Sequence, residues 1–377
     1  MINIEQTITL IQSLIAIPSE SSGQTATDAG APEQALVDYL AGLCDSLGIE
    51  YQTQEVLPGR SNFIARFPCP GQPKLLIVAH LDTVSATGMT DPFTGRLDEG
   101  KIWGRGACDD KGPLATALST LIQLWTEREG WRFDVIFAAT IDEECSLKGA
   151  ASLRGVVEPW DLCLCLEPTS LKIVKAHKGV YRCRVTSRGK SVHSSAPELG
   201  RNAILGMVEI IDDLQLFACR LSRHKHPELG RATLAVTQIV GGVSVNIIPD
   251  RCEISVDVRL LPEHQPQAIG RALQQVVGNR GTVEDLFAAR GMQTAMDNPC
   301  IRQFQQALRD AGHCDEAVNA GYATDCSELQ DSGPCIIWGP GHITQAHQVD
   351  EHIETSQVAD ACQVLASFLL GKGEAAG

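Results

Sequence analysis

The chain has 377 residues, of which 44% are hydrophobic and 20% charged, and 31 Lys and Arg against 46 Asp and Glu give a formal net charge of −15. A chain of this composition can bury a large core, which excludes wholesale disorder, and no apolar run reaches the ~18 residues of a membrane span. The acidic balance repels phosphate backbones, so nucleic acid and membrane are not expected partners.

The N-terminal segment MINIEQTITLIQSLIAIPSE predicts an amphipathic helix. It lacks a basic stretch before an apolar run and carries Glu5, so it does not resemble a secretory signal, and we expect a cytoplasmic protein. The 14 Cys are scattered without CxxC pairs, and Cys163 and Cys165 alternate along an apolar segment. We interpret them as reduced, buried thiols rather than a disulfide or metal framework.

The first half of the chain alternates short apolar segments with helical patterns. The predicted strands are SNFIARF, KLLIVA, FDVIFAAT and DLCLCLE, and a helix is predicted from Pro113 to Glu127 with Leu114, Leu118, Leu121 and Trp125 on one face. Strands that alternate with helices predict an α/β fold whose sheet is at least partly parallel.

After about residue 178 the pattern changes. Strands are predicted at Tyr181–Ser187, Thr233–Ile239 and Cys252–Leu260, and helices at Asn202–Leu216, with Ile204, Val208 and Ile211 on its apolar stripe, and at Gln267–Val277. This order predicts an inserted α+β domain, with two helices on an antiparallel sheet, over residues 179–290. Helix and strand patterns resume near Gly291, including a buried strand in CIIWG, so residues 1–178 and 291–377 would form the main domain.

Polar side chains come directly after the predicted strands of the main domain. They are His80 and Asp82 after KLLIVA, Asp109 and Asp110 in GRGACDDKG, Glu143 and Glu144 after FDVIFAAT, Glu167 at the end of DLCLCLE, and His347 in GPGHITQAHQVDE. Ligands of open α/β sheets bind outside the carboxyl ends of strands, so we expect these residues to converge. Each alone is compatible with a structural histidine or a solvated acidic turn, but together they form a mixed nitrogen and oxygen donor set suited to zinc.

The charge of this set indicates how many ions to expect. Three carboxylate ligands with neutral histidines repel one another in a small space, and two divalent ions neutralise them better than one. Such ions would share a carboxylate and lie about 3.5–4 Å apart. Asp82 is expected to accept the second N–H of the His80 imidazole, unless it is a plain turn residue. Of Glu143 and Glu144, one would bind metal while the other takes a proton from water.

In these residues the sequence resembles the M20 family of metallopeptidases and amidohydrolases. The matching motifs, in chain order, are HLDTV, GRGACDDKG, DEE, EPTS, GKSVHSSAPELGRNAI in the inserted domain and AHQVDE. The resemblance runs from about Ile17 to Thr355. It implies a zinc-peptidase-like catalytic domain with a mixed central sheet flanked by helices and two Zn²⁺, for which Co²⁺ could substitute, and an inserted domain through which two chains form a homodimer.

The resemblance also implies a role for each matched residue. Asp109 bridges the two ions, His80 and Glu167 bind one of them, Glu144 and His347 bind the other, and Glu143 is the general base. A cis peptide is implied between Asp109 and Asp110, which is unusual outside proline. His193 is implied to reach the partner subunit's active site and stabilise an oxyanion, although the residues alone suggest a cap in a Ser/His-rich turn.

The candidate substrate-binding residues are Asn246, Arg259, Lys178 and Thr324. Arg259 is expected to bind the amino-acid carboxylate bidentately, although it is equally compatible with an ordinary strand arginine. Thr324, Asp325 or Glu328 would bind a substrate ammonium.

The implied reaction is hydrolysis of an N-acyl-L-amino acid. EPTSLKIVKAHKG, GPGHITQAHQVDEHIET and the glutamate at position 167 resemble the small-molecule deacylases of the family, which makes N2-acetyl-L-ornithine, an intermediate of arginine biosynthesis, the expected substrate. One alternative is succinyl-diaminopimelate, whose extra carboxylate Lys175, Lys178 and Arg182 could bind. The others are a peptide substrate and a non-catalytic relative, which would lack a ligand or base.

Overall fold

The computed structural model describes residues 2–21, 32–157 and 159–371. The helices are α1 (Ile4–Ile15), α2 (Gln34–Leu47), α3 (Lys111–Gln123), α4 (Lys148–Ser152), α5 (Ala203–Leu221), α6 (Pro266–Val277), α7 (Pro299–Asp310), α8 (Cys326–Leu329) and α9 (Thr355–Leu370). The strands up to the middle of the chain are β1 (Tyr51–Leu57), β2 (Arg60–Phe67), β3 (Lys74–His80), β4 (Arg96–Asp98), β5 (Lys101–Trp103), β6 (Asp134–Thr140), β7 (Leu162–Cys165), β8 (Val174–His177), β9 (Gly179–Arg188) and β10 (Val192–His193). The remaining strands are β11 (Lys225–His226), β12 (Gly230–Arg231), β13 (Thr233–Gly241), β14 (Ile247–Ile248), β15 (Arg251–Leu260), β16 (Gly281–Ala289), β17 (Met292–Gln293), β18 (Val318–Ala320), β19 (Cys335–Ile337) and β20 (His352–Glu354). Among the described residues, no helix is both long and apolar enough to cross a membrane.

The chain divides into two compact units, each with its own apolar core. Unit 1 contains the residues up to Lys175, Thr294–Val318 and the residues from Thr324 onward, and unit 2 contains Ala176–Gln293 and Asn319–Ala323. The sequence placed residues 319–323 in the main domain instead. They group with unit 2 because the backbone carbonyl of Ala320 accepts a hydrogen bond from the Lys178 N–H.

Unit 1 is built on a mixed sheet. The strand order is β1-β2-β6-β3-β7-β19-β8, in which β3, β6, β7 and β19 are mutually parallel and β1, β2 and β8 pair antiparallel with their neighbours. The residues Leu75–Ala79 in the middle of β3 are all buried. Such a continuous apolar run is typical of a parallel strand covered by helices on both faces. The predicted α/β fold with a mixed central sheet is confirmed.

Helix α3 differs from its predicted bounds. It begins at Lys111, before Pro113, and gives way after Gln123 to a 3₁₀ turn over Trp125–Gly130. All the residues from Lys111 to Leu121 are buried, because α3 packs against α1, α9 and β3. The single apolar face predicted for this helix was therefore too narrow.

Unit 2 contains an antiparallel sheet of order β13-β15-β9-β16, and α5 and α6 pack on it. The residues of β15 that face the helices alternate along the strand and are Cys252, Ile254, Val256, Val258 and Leu260. The sequence predicted every strand of this sheet except β16. Strand β16 contains a register shift between Asp285 and Phe287 that interrupts its alternation.

The predicted stripe of helix α5 matches the buried face only in part. Asn202 caps the helix, and the helix buries Ala203, Met207, Ile210 and Leu214 most deeply. From the predicted stripe, Ile204 and Ile211 are partly buried and pack against the same core. Val208, from the predicted stripe, is 49% exposed. Both stripes have helical spacing, and the period alone does not say which of them faces the sheet.

Candidate metal centre

The register of the parallel strands brings the predicted acidic residues to one edge of the unit 1 sheet. His80 at the end of β3 lies opposite Thr140 at the end of β6, and Val78 lies opposite Cys165 at the end of β7. The segments that leave these strands carry Asp82, Glu143, Glu144 and Glu167. Since parallel strands end on the same side, the convergence expected from the sequence results from this register.

Four of the five predicted ligands are in direct contact. His80 Nε2 lies 2.9 Å from Asp109 Oδ1, while His347 Nε2 lies 3.3 Å from Asp109 Oδ2 and 3.1 Å from Glu144 Oε1. The two oxygens of one carboxylate therefore face two different histidines. Within the described part of the chain, His80, Asp109 and Glu144 form a group whose ligand atoms all lie within 4.8 Å of one another.

These separations fit shared coordination. Two ligand atoms bound to the same tetrahedral zinc at about 2.0–2.1 Å are about 3.3 Å apart. The nitrogen–oxygen distances of 2.9, 3.1 and 3.3 Å in this cluster are close to that value. Imidazole nitrogens with carboxylate oxygens are also a donor set that zinc accepts.

The remaining acidic side chains crowd the same region. Burial and the negative charges of Glu143 and Asp109 raise the pKa of Glu167 well above its ordinary value. Burial and the neighbouring Glu144 do the same to the pKa of Glu143. The region thus holds more carboxylates than its cationic side chains neutralise. These carboxylates repel one another, and bound cations would relieve the repulsion.

Contacts with two histidines lower the pKa of Asp109, in contrast to the raised pKa values of Glu143 and Glu167. Burial opposes ionisation of this carboxyl, but hydrogen bonds from His347 and His80 outweigh burial and lower its pKa. The same contacts with Asp109 and Glu144 raise the pKa of His347 to about 10. Without a metal ion, the histidine nitrogens and carboxylate oxygens of this cluster are joined by hydrogen bonds.

The group of Asp82 that lies closest to the His80 ring is not the one the sequence predicted. The atom that lies 2.9 Å from His80 Nδ1 is the backbone carbonyl oxygen of Asp82, whereas its carboxylate oxygen is 3.7 Å away. The carboxylate instead accepts the backbone N–H groups of Glu143 at 3.0 Å and Glu144 at 3.1 Å. Asp82 therefore orients the histidine with its main chain and the two-glutamate turn with its side chain.

The turn that carries both glutamates is anchored by a buried ion cluster that sequence reasoning missed. Asp142 begins the turn with a φ of 68°, in the left-handed region that Asp adopts more readily than most residues. Its carboxylate lies 3.3 Å from the Arg60 guanidinium, which also binds both carboxylate oxygens of Glu33. No motif surrounds Arg60 or Glu33, so the sequence carried no signal for this cluster.

The loop that carries Asp109 has little freedom to move. The peptide between Asp109 and Asp110 is cis, as the resemblance implied. Gly106 has a φ of 83°, and a Cβ there would lie 2.9 Å from the Lys111 side chain. Any other residue at this position would displace the loop.

The candidate residues of unit 2 make contacts among themselves. The His193 ring Nδ1 lies 2.7 Å from Ser195 Oγ, and Asn246 Oδ1 accepts a hydrogen bond from Ser244 Oγ at 2.7 Å. Both His193 and Asn246 are exposed.

The basic candidates of unit 2 also have internal partners. Arg259 Nε donates to Asp257 Oδ1 at 2.8 Å, and Lys178 Nζ donates to the Arg231 carbonyl at 2.6 Å. Partial burial and the nearby Arg259 lower the pKa of Lys178. The roles of these residues in substrate binding stay predictions.

The residues expected to bind a substrate ammonium are engaged inside unit 1. Thr324 is fully buried, and its hydroxyl accepts the Cys326 N–H at 3.2 Å. Asp325 is 2% exposed and accepts a hydrogen bond from Thr140 Oγ1 at 2.7 Å, while Glu328 lies 3.6 Å from Arg154. A role for these residues in binding a substrate ammonium stays a prediction, since His80 and Asp109 of the candidate metal centre are similarly buried.

Comparison with known proteins assigns the family. The family model described as peptidase family M20/M25/M40 matches residues 76–371, and the chain belongs to this family. A curated relative, the acetylornithine deacetylase of Edwardsiella ictaluri, is 31% identical over 380 residues that cover 96% of each chain.

Solved structures of the family share the fold. An M20 metallo-carboxypeptidase from Sulfolobus solfataricus superposes with a TM-score of 0.80 at 18% identity, covering 96% of this chain and 98% of that one. A structure from Bacillus subtilis, described as a dinuclear metal-binding peptidase of the M20 family, gives 0.70 at 18% identity and covers 97% of each chain.

Proposed function

We propose that this chain is a di-zinc amidohydrolase that removes the acyl group from an N-acyl-L-amino acid, with N2-acetyl-L-ornithine as its substrate in arginine biosynthesis. The observation that carries the proposal is the Asp109 carboxylate, whose two oxygens face His80 and His347. The substrate is supported by the curated relatives named acetylornithine deacetylase, which match the chain over almost its whole length.

Asp109 would be the bridging ligand, with His80 and Glu167 on one ion and Glu144 and His347 on the other. Two ions bound there would polarise the amide carbonyl and make water more acidic. The chain's own contribution would be to hold these ligands together, three at or just after the ends of strands of the unit 1 sheet and two, Asp109 and His347, on loops.

Glu143 is the proposed general base. Its backbone N–H is held by Asp82, and the side chain remains beside the ligand cluster. A carboxylate with a raised pKa accepts a proton from water and returns it to the leaving nitrogen more readily than an exposed glutamate does. His193 would hydrogen-bond the oxyanion, and Arg259 would bind the substrate carboxylate after exchanging its contact with Asp257.

We also propose that two chains form a homodimer through unit 2. Its edge strand β13 exposes Ile239 by 57% and Val240 by 71%, and the adjacent helix α5 exposes Leu205 by 63%. An apolar edge strand with unpaired backbone groups is a surface that proteins usually cover. A second copy of the chain would cover it.

The test is the release of free amine from a panel of substrates, with and without chelator and with zinc restored. N2-acetyl-L-ornithine should be hydrolysed with the highest kcat/KM, and chelation should abolish the activity until zinc is added. Preferential hydrolysis of succinyl-diaminopimelate or of dipeptides would reassign the substrate while retaining the metal chemistry. Activity that survives exhaustive chelation would overturn the proposal.

A further inference from the structure

A further buried carboxylate, that of Glu351, contacts the loop that carries Asp109. Its side chain is fully buried. Oε1 accepts the backbone N–H groups of Cys108 at 2.9 Å and Asp109 at 3.0 Å, and Oε2 accepts the Gly106 N–H at 3.1 Å and a guanidinium N–H of Arg105 at 2.5 Å. One carboxylate therefore satisfies four donors of the loop that carries Asp109.

The position of Glu351 in the chain connects two ligand segments. It lies four residues after His347 and immediately precedes β20, which pairs with β5 just before the Asp109 loop. Its carbonyl oxygen also accepts the Gly104 N–H at 3.1 Å. The segment that supplies His347 is thus tied, through Glu351, to the segment that supplies Asp109.

These contacts determine where the Asp109 carboxylate points. The hydrogen bond to the Asp109 N–H constrains the orientation of that residue's backbone, and the close approach of the Lys111 side chain to Gly106 packs the same loop from the other end. A buried carboxylate bonded by a guanidinium and three N–H groups is a strong and directional anchor. A neutral side chain in its place would leave part of this donor set without an acceptor.

We propose that Glu351 is a positioning residue that holds Asp109 and His347 in the relative geometry required to bind metal. The proposal rests on the metal centre proposed above. Glu351 acts through the backbone of the bridging ligand and does not itself contact an ion. Side chains that orient ligands in this way typically alter metal affinity by about 10–100-fold.

The test compares Glu351→Gln with two controls. Glu354→Gln removes a different carboxylate of the same segment. The Glu354 side chain makes no described hydrogen bond to the Asp109 loop. Phe304→Leu creates a defect in the apolar core of unit 1, where Phe304 packs against Trp338, and so reports general destabilisation. Metal-free protein of each kind is titrated with Zn²⁺ by calorimetry, and the Co²⁺-loaded forms are compared by visible absorption, which reports coordination geometry.

Glu351→Gln should bind at least one ion about 10–100-fold more weakly and show an altered Co²⁺ spectrum, while both controls retain wild-type affinity and spectrum. Its kcat should fall at saturating substrate and recover in part with excess metal. If Glu351→Gln does not fold, Glu351→Asp, which keeps the charge but withdraws it from the loop, is measured in the same way.

Wild-type affinity and spectrum in the folded Glu351 variant would overturn the positioning role alone. Equal weakening in Phe304→Leu would also overturn it, because the effect would then be general destabilisation. A wild-type protein that binds no divalent ion would instead overturn the metal centre itself.

Discussion

At the scale of single residues, the two adjacent glutamates of the candidate site have different contacts. Glu144 Oε1 contacts the His347 ring. The pKa of Glu143 is instead raised by burial and by the neighbouring negative charge of Glu144. The Asp82 carboxylate accepts both backbone N–H groups and so fixes the backbone of the turn that carries the two side chains. A pair of identical residues can in this way supply one ligand and one base.

Glu143→Gln should therefore lower kcat by about 10²–10⁴-fold while leaving the metal content at two ions, because it removes the base and no ligand. Glu144→Gln is the matched variant and should lose an ion. Both are checked by steady-state kinetics and by metal analysis of the dialysed proteins. The reverse pattern would exchange the roles of the two glutamates.

At the scale of elements, three helices begin in the same way. Asn3, Asn202 and Asn298 are N-caps whose side chains accept backbone N–H groups of the first turn of α1, α5 and α7. The cap satisfies donors that the helix itself leaves unpaired. Two of these helices lie in unit 1 and one in unit 2, so asparagine N-caps occur in both units.

Asn298→Ala and Asn202→Ala should each lower the free energy of unfolding by about 1 kcal/mol, measured by urea denaturation. The change should appear in the transition of the unit that contains the helix. Asn298→Asp and Asn202→Asp keep an oxygen acceptor and should be close to wild type. Alanine variants as stable as wild type would show that these hydrogen bonds contribute nothing in solution.

At the scale of the whole molecule, the repulsion among the site carboxylates links stability to metal and pH. Glu143, Glu144 and Glu167 have raised pKa values, largely through burial, and contacts with carboxylates raise the pKa of His347. Without metal, the folded protein therefore binds more protons than the unfolded chain above about pH 5, and its stability falls as pH rises. Asp109, whose pKa is lowered, acts in a different range, because it is ionised in both the folded and the unfolded state above about pH 5 and affects stability only at lower pH.

Chelation should therefore lower Tm by roughly 5 °C or more at pH 8 and by less at pH 5.5. Bound metal removes the repulsion at high pH, whereas protons already relieve it at low pH. Differential scanning calorimetry of the chelated and zinc-restored protein checks this at both values. An equal effect of chelation at both pH values would contradict the assignment of the carboxylates to the metal centre.

The proposed dimer is also a property of the whole molecule. Ile239→Lys and Leu205→Lys should convert the protein to a monomer, because each places a charge in the exposed apolar surface of unit 2. Light scattering after size exclusion measures the mass. Leu97→Lys, at a leucine of unit 1 that is 49% exposed, is the matched control and should leave the mass unchanged. A monomeric wild-type protein would contradict the proposal.

The sequence predicted correctly those features that depend on residues close together in the chain, and it was less accurate for contacts between distant residues. The strands KLLIVA and FDVIFAAT were found because continuous burial leaves an almost unbroken apolar run. The predicted stripe of α5 includes the exposed Val208 because apolar residues lie on more than one face of this helix. The closest contact of Asp82 with His80 was misassigned because the sequence does not distinguish a carbonyl from a carboxylate as the acceptor.

By itself, the sequence determined the α/β class, the positions of most strands and the polar residues at their ends, since these depend on short-range periodicity and on the few residues next to each strand. Only the tertiary structure decided which of these residues touch, that Arg60 and Glu33 anchor the glutamate turn, and that Glu351 ties the Asp109 loop to the His347 segment. Such contacts join positions far apart in the chain. Their energies arise from burial and charge that exist only after the sheet has brought them together.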